Sequence, residues 1–266
     1  MRHLKPLFKG ALLATLLSFA AVAVHAEDLL DTVKQKGVLK VAVEGTYPPF
    51  NYRNADNQLD GFDVAVAKLV AAKMGLKVEF VATEWSGIIA GLQAGKFDVI
   101  VNQVGITPQR KQTLDFSQPY VYSAPQLILR EGDKRSFKSL EEFKGKKLGV
   151  SLGSNYADMA KSVPGIDVKV YPGAPEYLSD LAASRIDAAL NDRLMLAYLI
   201  KTSRLPLQAG PEIGGGQEEV GIPFRKGNPK FAKAIEDALT SLRQDGTLRK
   251  LSMQWFGTDT TEPVKH

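Results

Sequence analysis

Short β-branched runs alternate with segments of helical period along this chain. Residues 38–43 predict a strand. Phe62, Ala65, Val66, Leu69 and Val70 then recur at helical spacing, with Gly75 as a stop. Residues 78–81 predict a second strand. Trp85, Ile88, Ile89 and Leu92 predict a short amphipathic helix that ends at Gly95, and residues 97–101 a third strand. Strand, helix, strand, helix, strand is the grammar of a parallel sheet with helices on its faces.

The same grammar restarts after Pro125. Ser139 and Glu142 have the spacing of a capping box for a short helix. Strands are predicted over 147–151, 168–171 and 186–190, with a helix from Asn155, another from Pro175 to Ala183 and a third from Arg193 to Lys201. Beyond them, 219–224 is strand-like. Phe231, Ile235, Ala238, Leu239 and Leu242 mark one helical face, and Leu248, Leu251 and Trp255 another. That tail is too small for its own core and is expected to return to the first lobe. The expected organisation is lobe one from 27–123 and 218–266, and lobe two from 124–217. Two hinge crossings fall near 123–125 and 217–220, with Gly214-Gly215-Gly216 a flexible approach to the second.

The halves echo each other. QAGKFDVIVNQ (93–103) resembles AASRIDAALND (182–192), which puts Gln103 and Asp192 at equivalent carboxyl ends of strands. Ligands of open α/β sheets bind at such ends. Two facing lobes would therefore set the 102–110 turn against Asp192 across a cleft.

Charge and composition narrow the chemistry. Arg2, Lys5 and Lys9 precede an apolar run, 11–24, too short to span a bilayer, and Val24-His25-Ala26 resembles a signal-peptidase site. Residues 1–26 are thus expected to be a cleaved signal peptide that delivers the protein to a periplasm. The leader's three basic residues leave with it, so the net charge of +5 falls to +2. The remaining charges are mixed, without the basic patch that nucleic acid requires. The sequence has no Cys, and its His residues are His3, His25 and the final His266. Thiolate nucleophiles, Ser-His-Asp catalysis and Cys or His metal sites are thereby excluded. No cofactor or metal is implied.

Several residues could bind a ligand. Arg110 follows a polar turn in which Gly105 lets the backbone come close, and a guanidinium can meet a carboxylate with two charge-assisted bonds. Gly153-Ser154-Asn155 lies between a strand and a helix, where plain capping and anion binding use the same groups. Asp192 precedes a helix, as a cap or as partner to an ammonium group. EGTYPPF (44–50) is a rigid turn that could present Tyr47, and Trp85 is a core residue or an apolar wall.

With EGTYPPF, GFDVAVA (61–67), GITPQR (105–110), DFSQPY (115–120), GSNY (153–156), RIDAALND (185–192) and DGTLRKLSMQWFG (245–257), the mature chain resembles the periplasmic solute-binding proteins for polar amino acids, subunits of ABC importers. EGTYPPF, VNQVGIT and LGSNYAD are most similar to the L-cystine-binding members. The resemblance implies a type II fold of two α/β lobes, each a mainly parallel sheet flanked by helices, joined by a two-strand hinge. It implies a monomer without catalysis that docks on an inner-membrane permease. Arg110 would hold the ligand carboxylate, assisted by Gln103, Gly105, Thr107, Ser154 and Asn155. Asp192 would hold the ammonium group, Tyr47 and Trp85 the apolar wall, and Glu44 an acidic position beside them. Many relatives carry Ser or Thr where this chain has Gly105. The alternative within the fold is a carboxylate-based dehydratase of cyclic acids, with Asp192 or Glu44 as acid or base.

Overall fold

The computed structural model describes residues 27–202, 204–214 and 216–263; the predicted signal peptide, Gly215 and His266 lie outside the described residues. Two five-stranded sheets share one plan. In the first, Val38–Val43 lies parallel between Lys77–Ala82 and Val99–Ile100. Pro223–Arg225 follows antiparallel, and Leu114–Phe116 forms the edge. In the second, Lys147–Ser151 lies parallel between Asp167–Tyr171 and Ala188–Asp192. Pro125–Arg130 follows antiparallel, and Leu207–Glu212 forms the edge. The fold is the two-lobed type II architecture that the resemblance implies.

The chain leaves the first sheet along Val121–Ser123 and returns along Glu218–Val220. These strands pair antiparallel as a separate ribbon, with Ser123 facing Glu218 and Val121 facing Val220. The helices Pro229–Gln244 and Thr247–Phe256 pack back on Phe62–Lys73 of the first lobe. Phe62, Phe231, Ile235, Leu239 and Leu248 are fully buried there.

The internal echo has a physical basis. Asp98 accepts the Lys40 N–H through Oδ2 at 2.9 Å and returns its own N–H to the Lys40 carbonyl at 2.9 Å. Asp187 does the same with Lys147, at 2.8 and 2.9 Å. Each aspartate pins the start of the strand that follows it to the first of the parallel strands in its sheet. The preceding turns need a left-handed residue, which Gly95 (φ 72°) and Ser184 (φ 61°) supply.

GFDVAVA also has a local reason. Gly61 has φ 128°, and a Cβ there would lie 2.3 Å from the Phe50 carbonyl oxygen, so glycine alone lets the helix start dock on the 49–50 turn. The Phe62 and Asp63 N–H groups then donate to the Pro49 and Phe50 carbonyls.

Some expectations change. Leu140–Phe143 is a 3-10 turn whose Ser139 makes no side-chain cap; Glu142 accepts from the Lys138 N–H instead. The strand expected over 186–190 is Ala188–Asp192, which brings Asp192 into the sheet. The strand-like run 219–224 is two strands split at Gly221-Ile222. Pro125–Arg130, an interior strand of the second sheet, lies where the sequence pattern only restarts; its antiparallel strand has no period of its own to announce it.

Candidate functional site

The 102–110 turn and the opposite strand end face each other across a cleft. A small cavity there is lined by both lobes: Glu44, Tyr47, Trp85, Asn102 and Gln103 from the first, Ser151, Ser154, Asn155, Tyr156, Ala174 and Asn191 from the second. Of the ten candidate residues, six line it. Gly105, Thr107, Arg110 and Asp192 stand behind.

Arg110 is the best-held of these. Gln103 takes a left-handed turn (φ 51°), after which Gly105 bridges Val220 and the Ile106 N–H donates to the Glu219 carbonyl at 2.7 Å. The turn is thereby stitched to the hinge. Thr107 caps the short helix Pro108–Lys111, its Oγ1 accepting the Arg110 N–H at 3.2 Å. The guanidinium lies 5.6 Å from the Trp85 ring centroid and donates to the Gly105 carbonyl at 2.8 Å. It also crosses the cleft to the Gly153 carbonyl at 3.2 Å. Burial lowers its pKa and the Glu218 carboxylate counteracts this. The guanidinium remains a cation at neutral pH.

Ser154 proves to be a cap. Its hydroxyl donates to the Ser151 carbonyl at 2.7 Å and accepts the Ala157 N–H at 3.0 Å, so its proton is already engaged. Gln103 turns its amide inward, donating to Asp63 Oδ1 at 2.8 Å. The Asn155 amide donates to Glu218 Oε1 at 2.7 Å. Asp192 is 2% exposed and caps the helix Arg193–Thr202, Oδ1 accepting the Leu194 N–H at 2.7 Å. Its two readings, cap and charge partner, are therefore not exclusive.

The cleft is acidic. Burial raises Glu44 to about 7, partly offset by the Asn102 amide and reinforced by Glu176 from the other lobe. Burial raises Asp192 to about 6, with the Ser123 hydroxyl and the helix N–H groups pulling it down. Burial, then the nearby Asp192 charge, raises Glu218 to about 7. Sequence reasoning missed Glu218, which lies in the second hinge strand, Glu218–Val220. It also missed Asn102 and Asn191, although they occupy matching places in the echo. Asn102 accepts the Glu44 N–H and donates to Glu44 Oε2, both at 2.8 Å. Asn191 receives the Tyr47 hydroxyl at 2.6 Å. Among the described residues, no group of His, Cys, Asp and Glu could hold a metal.

Comparison with known proteins adds an independent line. The bacterial extracellular solute-binding proteins, family 3, match over residues 39–258. The L-cystine-binding protein TcyJ of Escherichia coli (strain K12) is 39% identical over 255 residues, covering 95% of this chain and 96% of that protein. The L-cystine-binding protein TcyA of Bacillus subtilis (strain 168) is 38% identical, covering 88% and 87%. An ancestral arginine-binding protein bound to arginine superposes with a TM-score of 0.78 at 39% identity, covering 83% of this chain and 99% of that one.

Proposed function

The chain belongs to the bacterial extracellular solute-binding proteins of family 3, and we propose that it is the periplasmic substrate-binding subunit of an ABC importer for L-cystine. It is a binding protein, not an enzyme. The observation that carries the substrate is its 39% identity, over nearly its whole length, to a relative named for L-cystine binding. The cleft supports the reading: one held cation, Arg110, lies just behind a cavity that both lobes line with polar groups and rings.

In this reading lobe one comprises 27–123 and 218–266, and lobe two 124–217. The α-carboxylate of one half of cystine lies against Arg110 and the 103–107 turn, and the ammonium group lies towards Asp192. The sulfurs lie along Tyr47 and Trp85, where polarizable sulfur meets aromatic rings favourably. The second amino-acid head lies by Glu44. Because the site has walls on both lobes, ligand stabilises the closed form, which then docks on an inner-membrane permease. The protein acts as a monomer after signal-peptide removal. A thermal-shift screen of the common amino acids and L-cystine tests this, because a ligand bound only by the native state raises the melting temperature by mass action. L-cystine giving the largest shift is the expected result.

A further inference from the structure

Gly105 and Glu218 fit each other. A Cβ at position 105 would lie 2.4 Å from Glu218 Oε1 and 3.6 Å from Arg110 Nη1. Any side chain there would collide with the carboxylate. That carboxylate is also aimed: Oε1 accepts from Asn155 Nδ2 and Oε2 from the Tyr156 hydroxyl, both at 2.7 Å. Glu218 thus reaches from the hinge strand to the second lobe, through the space that the missing side chain leaves open.

Its surroundings decide its role. The groups facing it are Asn155 and Tyr156 on the helix Asn155–Lys161, Arg110 on the short helix, Asp192 at its strand end, and Tyr47. Asp192 and Glu218 raise each other's cost of ionisation, and a cation between them removes it. Asp192 already gives one oxygen to its helix cap. A carboxylate has about four lone-pair positions, so Glu218 keeps acceptor capacity beyond its two bonds.

We propose that Glu218 is a ligand-contacting residue that accepts the amino acid's ammonium group together with Asp192, and that Gly105 is the residue that makes room for it. The assignment rests on the amino-acid-binding reading above.

L-cystine, L-arginine and the deaminated analogue 3,3′-dithiodipropionate are titrated calorimetrically into the full mature chain. Glu218→Gln is expected to weaken the amino acids by roughly 10- to 100-fold, the worth of a charge-assisted bond, and to leave the analogue's weaker binding unchanged. Gly105→Ala, whose backbone angle suits any residue, reproduces the loss by displacing the carboxylate. Because Glu218 sits near pH 7 when free, ammonium binding at pH 6.5 releases a proton. Glu218→Gln lowers that proton count, measured in two buffers of different ionisation enthalpy. A merely structural Glu218 would weaken amino acids and analogue alike, and that result overturns the assignment. Proton uptake by the wild type also overturns it, since Glu218 would then meet the carboxylate as a neutral acid. If the wild type binds neither amino acid, the amino-acid reading itself falls.

Discussion

Tyr47 and Asn191 meet across the cleft, the Tyr47 hydroxyl donating to Asn191 Oδ1 at 2.6 Å. One residue belongs to the short strand Thr46–Tyr47 that follows the first strand of one sheet, and the other to the strand Ala188–Asp192 of the second. The bond therefore exists only when the lobes are together.

Tyr47→Phe keeps the ring and removes this bond, while Asn191 Oδ1 still accepts the Asp192 N–H. A net hydrogen bond contributes ~0.5–1.5 kcal/mol, so ligand affinity should fall by roughly 2- to 10-fold. Small-angle scattering should still show contraction with ligand, at higher ligand concentration. Unchanged affinity would remove this bond from the closure mechanism.

Arg110→Ala leaves the Trp85 face and the Gly105 and Gly153 carbonyls without their cation. Truncating a buried charge partner weakens binding by ~2–5 kcal/mol, roughly 30- to several-thousand-fold. Arg110→Lys should retain part of the binding, since an ammonium group keeps the charge but loses the planar fork. Near-wild-type titration of the alanine variant would take the carboxylate away from Arg110.

Asp98 and Asp187 hold equivalent strand starts, so each alanine variant strands a backbone N–H. Leaving the half-buried Lys40 donor unpaired costs ~1–3 kcal/mol of folding stability, whereas water can replace the exposed bond at Lys147, so the Asp187 variant should lose less. Urea unfolding should show the loss in both, with ligand affinity retained. An unchanged midpoint in either would make its bond incidental.

The pH dependence of stability follows from buried acids. Asp63 and Glu44 are raised to about 7, each chiefly by burial, and Glu218 and Asp192 to about 7 and 6 for the same first reason. In the unfolded chain these groups ionise near pH 4. Between about pH 4 and 7 the folded state holds more protons, so stability falls as pH rises through that window. Asp63 is fully buried and its Oδ2 has no hydrogen-bond partner, which makes Asp63→Asn the variant that flattens the slope most. A wild-type urea midpoint higher at pH 8 than at pH 5 would contradict this.

The parallel strands and their helices were legible because their period is local: β-branched runs, then apolar residues at helical spacing, closed by Gly75 and Gly95. Pro125–Arg130 and Leu207–Glu212 were not, because antiparallel pairing between distant segments leaves no short-range mark. At the site, Arg110 and Tyr47 could be read from the turns that carry them, and Trp85 from its place after the 78–81 strand. Glu218 could not. Its meaning comes from Gly105, far away in sequence, and only the bridge between Gly105 and Val220 puts the two side by side. The side chains of Ser154 and Gln103 show the converse: the residues lie where the sequence put them, but their donors serve the protein.

The central claim is tested most directly by calorimetric titration of the mature chain under oxidising conditions with L-cystine, L-arginine, L-histidine and L-glutamine in parallel. L-cystine should bind most tightly, with one site per chain. Tighter binding of L-arginine, L-histidine or L-glutamine would contradict the cystine assignment and leave the amino-acid-binding fold standing.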